Sequence, residues 1–258
     1  MHALQSLIAY YNHCRQDDLY REVIRRILLS LKQLDGASIY ELADLCHVSP
    51  TTISRLSRRL GYRSFSEFRM DLAGNVKNHD TLNRYVPLHE TARYGEERTA
   101  YAALMRRQMD DFWQALDDTL IDRMVECIHA ARRIRFYTFG VHFAEPHFQE
   151  DLLLAGHDCS VHSIPTDHLQ DIETLDEDSL VVLIVPVVAE GAIVRTEIDQ
   201  IRERRATLLL LTDSRHADFL GRADLAYCFD GSLSIVDDYR FAMFLNLLSM
   251  TYRSRYLR

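Results

Sequence analysis

The chain has 258 residues, of which 47% are hydrophobic and 26% charged, with a net charge of −8. This is the composition of a soluble globular protein with material for one large or two smaller domains, and it excludes a disordered or uniformly basic chain. The five cysteines (14, 46, 127, 159, 228) are scattered, with no CxxC pair, which excludes a zinc signature and fits a reducing compartment.

No apolar run approaches the roughly 20 residues of a membrane helix. The N-terminus lacks the basic, apolar pattern of a signal peptide. The expectation is a cytoplasmic protein with no membrane contact, metal or cofactor.

Taken in order, residues 3–14 and 19–34 read as helices. In the second, Leu19, Val23, Ile27 and Leu31 recur at helical spacing, with Asp17 and Asp18 at the favourable N-terminal end of the dipole. Residues 38–61, SIYELADLCHVSPTTISRLSRRLG, give two short helices around a turn. Leu42, Ala43 and Cys46 form the apolar face of the first; Ile53, Leu56 and Leu60 form that of the second. Between them Val48 is a plug, Ser49 an N-cap hydroxyl and Pro50 a first-turn proline with no N–H to leave unpaired. His47 stands at a turn position that favours glycine, so a left-handed histidine is expected there. Gly61 reads as a left-handed cap, and Phe65 and Phe68 return apolar bulk to the bundle, with Ser64 or Ser66 available to cap another helix.

Residues 74–95 break the periodicity with Gly74, Asn75, Asn78, Asn83, Pro87 and Gly95, and read as a linker with one short helical piece. Residues 96–129 are helical again, with a second helix from residue 121. Short β-rich runs follow at 134–139, 159–164, 180–187, 207–211 and 225–229. Helical segments at 145–155, 166–174, 191–204 and 217–221 alternate with them, and a last helix runs from 237 to 252. Alternating strands and helices imply a parallel sheet covered on both faces. The expected fold is therefore α + α/β: an all-helical bundle over residues 1–73, a linker over 74–95, and a doubly wound parallel-sheet domain over 96–258.

Charge is distributed unevenly. Residues 1–72 carry 10 Lys+Arg against 8 Asp+Glu, and the remainder 20 against 30. Residues 49–69 hold five arginines (55, 58, 59, 63, 69) and one acid, Glu67. A small basic footprint on an acidic body suits a modular DNA binder. The candidate contacts are Ser49, Thr51, Thr52, Ser54, Arg55, Arg58, Arg59 and Arg63. Those near the N-terminus of the second helix, Thr51, Thr52, Ser54 and Arg55, are placed for base edges in the major groove. Arg58, Arg59 and Arg63 are placed for phosphates, which fix register without reading sequence. His142, His147, His157, His162 and His168 cluster in sequence, but their spacing crosses two strands and matches no metal-ligand pattern.

The segment IYELADLCHVSPTTISRLSRRLGYRSFSEFRMDL resembles the N-terminal domain of RpiR-type (MurR/RpiR) bacterial transcription regulators. The resemblance rests on Glu41-Leu42-Ala43, Val48-Ser49-Pro50-Thr51-Thr52, Arg55, Leu60-Gly61 and Phe65-Ser66-Glu67-Phe68. It implies a C-terminal SIS (sugar isomerase) domain that senses a phosphosugar and drives oligomerisation. Asp167-His168, the segment 175–185 and Leu211-Thr212-Asp213-Ser214 fall where that domain has its landmarks. Such domains hold phosphate with a G-x-G-x-S turn and an S-x-S-G-x-T loop. Here these read Gly140-Val141-His142-Phe143-Ala144 and Pro186-Val187-Val188-Ala189-Glu190-Gly191, without the four hydroxyls.

Gly140, His142, Ala144, Val188, Glu190 and Gly191 are the corresponding candidate effector contacts, with the usual sugar-phosphate grip missing. The reading is a transcription regulator rather than an enzyme. Its partners are a double-stranded DNA operator, a small-molecule effector, and further copies of itself in a homodimer or homotetramer. The alternatives are a sugar-phosphate isomerase-like enzyme and a ligand-free oligomerisation module.

Overall fold

The computed structural model describes residues 3–257 except 32–33, 35, 80–84, 140–143, 164, 187–188, 190–191, 216 and 232–233. The chain divides into two compact units, residues 1–82 together with 164–166, and the remainder of residues 83–258.

The first unit is all helical: α1 Ala3–His13, α2 Leu19–Leu29, α3 Ile39–Cys46, α4 Pro50–Arg59 and α5 Phe65–His79. Asp18 caps α2 by accepting the Tyr20 N–H. That helix stops at Leu29, short of the expected residue 34. Ser38 and Glu41 form a reciprocal capping box on α3, satisfying two donors that helix formation leaves orphaned. Val23, Ile24 and Ile27 of α2 meet Leu42, Ala43 and Cys46 of α3, Ile53 and Leu56 of α4, and Phe68 and Leu72 of α5 in one core. Asp71 on α5 accepts the Ala3 N–H (2.8 Å) and the Tyr62 hydroxyl (2.5 Å), tying the start of α1 to the end of the bundle.

Residues 74–95 hold more helix than the expected single short piece. α5 continues through Gly74 and Asn78 to His79, and α6 spans Leu88–Tyr94. Propensity is a weak prior that tertiary packing overrides.

The second unit continues with α7 Glu97–Gln114 and α8 Asp118–Ala130. It then alternates β1 Arg133–Thr138, α9 Ala144–Leu154, β2 Asp158–His162, α10 Pro165–Ile172, β3 Ser179–Val185, α11 Ala192–Glu203, β4 Thr207–Thr212 and β5 Leu225–Cys228, ending in α12 Val236–Tyr256. The helix expected at 217–221 is only a 3-10 turn, Leu220–Arg222. The strands pair in parallel in the order β2-β1-β3-β4-β5. Every residue of β3 is buried, as a central strand covered on both faces requires. Ile134, Phe136, Leu180, Val182 and Leu209 point to one face and pack on α8, α9 and α12.

Residues 85–95 are fastened to this unit. The Ser234 hydroxyl donates to the Tyr85 carbonyl (2.8 Å), Val86 is buried, and Arg107 of α7 pairs with buried Glu90 of α6 at 2.5 Å.

Candidate nucleic-acid interface and effector site

The turn between α3 and α4 is built by backbone bonds. His47 donates to the Asp44 carbonyl (3.1 Å) and Val48 to that of Ala43 (3.0 Å), a closure that requires a left-handed residue. His47 adopts it, at φ 54°, ψ 43°. Ser49 then caps α4, its hydroxyl accepting the Thr52 N–H at 3.2 Å, with Pro50 in the first turn. At the other end Gly61 (φ 89°) lets its own N–H reach the Arg58 carbonyl and that of Tyr62 reach Ser57. Ser64 and Glu67 cap α5, the Ser64 hydroxyl accepting the Glu67 N–H and Glu67 accepting the Arg63 N–H. Each end of the second helix is thus set by local chemistry, which fixes the direction of its outer face.

On that helix Ile53, Leu56 and Ser57 turn inward. Thr51, Arg55 and Arg58, at i, i+4 and i+7, form the outermost stripe, and all three are exposed. Thr52 and Ser54 flank it, half-buried, while Ser49 and Arg63 are exposed at its two ends. Among the described residues Arg55, Arg58 and the Arg63 side chain make no ion pair, so their charges face outward unspent. Arg59 differs: its guanidinium lies 5.4 Å from the ring centroids of both Tyr10 and Tyr20. Burial and the bond to Asp18 push the Tyr10 phenol up to about 12, and the Arg59 charge opposes the rise. Arg59, exposed like its neighbours, thus also lies against the α1–α2 corner.

Of the candidate effector contacts, Gly140, His142, Val188, Glu190 and Gly191 lie outside the described residues, as does the Ala144 side chain. The neighbouring groups carry two polar clusters. On the face of the sheet that carries α10, Tyr137 donates to Asp171 (2.7 Å), and Arg135 pairs with the same carboxylate (3.2 Å). His168 is fully buried between Glu197 (3.0 Å) and the His162 carbonyl (2.9 Å), stacked on the Tyr137 ring. Both its nitrogens are thus engaged in hydrogen bonds within the unit. On the opposite face Glu145, in the first turn of α9, is buried, and among the described residues no other side chain bonds either of its oxygens. Burial pushes its carboxyl up to about 7.

The remaining histidines have separate partners. His157 lies between the Ala131 carbonyl and the Tyr252 hydroxyl, His162 beside Ser160, and His147 on the surface. Among the described residues no three metal-ligating side chains converge. No described helix is long and apolar enough to cross a membrane. Asp237 caps the start of α12, accepting the Ser234 N–H at 3.3 Å. Sequence reasoning missed the contact of Arg59 with the two tyrosine rings and the burial of Glu145.

The described residues thus combine a capped helix-turn-helix bearing an outward arginine stripe with a five-stranded parallel α/β unit. Residues 3–79 match the model of the helix-turn-helix domain of the rpiR family. The chain is 26% identical over 148 residues to the HTH-type transcriptional regulator HexR of Escherichia coli K12, across 57% of this chain and 50% of that protein. It thus spans about half the length of that relative. The Vibrio vulnificus NanR protein complexed with ManNAc-6P shares the fold at a TM-score of 0.54 and 17% identity, over 99% of this chain and 92% of that one. The sugar isomerase domain of an RpiR transcription factor from Sphaerobacter thermophilus matches at 0.51 and 17% identity, over 60% and 88%. The second unit accordingly has the sugar isomerase fold.

Proposed function

We propose that the chain is a sequence-specific DNA-binding transcription regulator whose sugar-isomerase-fold unit senses a sugar derivative and assembles copies of the chain into a two-fold symmetric oligomer. The carrying observation is the exposed Thr51–Arg55–Arg58 stripe on a helix whose two ends are both capped. Thr51, Thr52, Ser54 and Arg55 contact bases; Ser49, Arg58 and Arg63 contact phosphates. HexR is a transcriptional regulator by name and NanR was seen with ManNAc-6P, which supports a regulator answering to a sugar derivative. Gly140, His142, Ala144, Val188, Glu190 and Gly191 are the proposed surroundings of that effector. Catalytic turnover is not part of the reading.

The test is a gel retardation assay on DNA upstream of its own and neighbouring genes. Arg55→Ala is expected to lose about 1–3 kcal/mol and to relax sequence preference. Absence of salt-dependent binding to all such DNA would overturn the reading, and turnover of ketose or aldose phosphates would replace it with an isomerase.

A further inference from the structure

Two hydroxyls at the first turn of α4 are bonded to each other. Ser49 Oγ and Thr52 Oγ1 lie 3.0 Å apart, and the Ser49 oxygen also accepts the Thr52 N–H at 3.2 Å. Ser49 is exposed and Thr52 half-buried, beside the outward stripe of Thr51, Arg55 and Arg58. Among the described residues neither hydroxyl has a further partner.

The number of hydrogens in this pair is fixed. Each hydroxyl carries one hydrogen and two lone pairs. The bond between them spends one of the two hydrogens, so a single hydrogen is left for an outside acceptor. Which oxygen keeps it depends on the direction of the shared bond. When Ser49 gives its hydrogen outward, its two lone pairs take the Thr52 N–H and the Thr52 hydroxyl hydrogen. Thr52 then shows the outside only a lone pair. A backbone phosphate oxygen accepts and never donates, so a phosphate at Ser49 selects that direction.

This changes what Thr52 can read. A lone Ser or Thr suits either kind of base edge, because its hydroxyl turns to give or to take a hydrogen bond. Held as an acceptor, Thr52 is matched by the amino group of cytosine (N4) or adenine (N6). The keto oxygens of guanine (O6) and thymine (O4) meet it as a second acceptor.

We propose that Ser49 and Thr52 read DNA as one unit: a phosphate at Ser49 turns the Thr52 hydroxyl into a pure acceptor, and Thr52 thereby selects an amino base, cytosine or adenine, over a keto base. Ser49 is then a positioning residue for base specificity that touches no base. This rests on the regulator reading above and names what one of its recognition positions prefers.

The test is selection by the full chain from duplexes with a randomised core, followed by sequencing of the enriched pools. The parent is expected to favour amino over keto bases at one position by roughly 2- to 12-fold, the worth of one net hydrogen bond. Thr52→Ser should keep that preference, and Thr52→Val, without a hydroxyl, should lose it. Ser49→Gly, a substitution that an N-cap tolerates, should level amino and keto bases at that same position and leave the other positions unchanged. Ser49→Asp caps the helix as well, takes the Thr52 hydrogen and repels phosphate. It should bind every duplex more weakly and still favour the amino base. Circular dichroism checks that each variant is folded, and Ser49→Asp decides alone should Ser49→Gly not fold. A keto preference, a preference that survives in Ser49→Gly, or one lost in Ser49→Asp overturns the proposal. So does a pool in which no position responds to Thr52→Val. Enrichment of a sequence without this coupling leaves the regulator reading standing, whereas failure of the parent to enrich any sequence defeats both.

Discussion

Neighbouring arginines on α4 are expected to fail in different ways. Arg58 is exposed on the outer stripe, whereas Arg59 lies over the rings of Tyr10 and Tyr20. Each phosphate neutralised contributes about 0.9 to the slope of log affinity against log salt, so removing one contact changes the loss of affinity between 50 and 200 mM salt by roughly 3- to 4-fold. Arg58→Gln should lower the slope by about that one contact and leave the thermal midpoint unmoved. Arg59→Gln should keep the slope. It removes two cation–π contacts of about 0.5–1 kcal/mol each at a partly exposed site. For a unit of this size, 1–2 kcal/mol lowers Tm by roughly 5–15 °C. The measurements are fluorescence anisotropy across a salt series and calorimetry of the same proteins. A reduced slope with unchanged Tm for Arg59→Gln would refute the assignment of Arg59 to the fold.

Two further outcomes follow from named groups. His47 holds a left-handed conformation that costs a non-glycine residue about 1 kcal/mol. His47→Gly should therefore raise the unfolding midpoint of the helical unit without changing DNA affinity, as chemical denaturation will show. Glu145 has a folded carboxyl at about 7, raised by burial above its ordinary 4.5. The folded state thus holds its proton more tightly than the unfolded chain, so stability is full below about pH 4.5 and falls as pH rises through 7. The loss is on the order of 3 kcal/mol. In Glu145→Gln this part of the pH dependence should vanish, leaving the variant more stable than the parent at pH 8 by urea denaturation.

Much of this was legible because the deciding chemistry is local. Ser49, Pro50, His47 and Gly61 act on backbone groups within five residues, and all four do what their types predict. The five strands stand within two residues of the expected runs, since a doubly covered strand must be continuously apolar. What escaped notice depends on distant partners. Tyr10 and Tyr20 lie 49 and 39 residues before Arg59, and nothing near Arg59 distinguishes it from Arg58. Glu145 reads as an ordinary acid favoured at a helix start, and only the depth of the first turn of α9 shows that it is buried. The end of α5 was hidden for another reason: Gly74 and Asn78 are poor helix formers, and their helical state depends on the bundle around them.

The fastening of residues 85–95 decides where the chain can be cut. A fragment beginning at residue 96, where the composition shifts, would discard buried Val86 and leave Arg107 without the carboxylate of Glu90. It would also remove the Tyr85 carbonyl that receives the Ser234 hydroxyl, in the loop that leads into α12. Anyone excising the sugar-isomerase unit for ligand work should start no later than Tyr85, or the exposed seam along α7 will favour aggregation over binding.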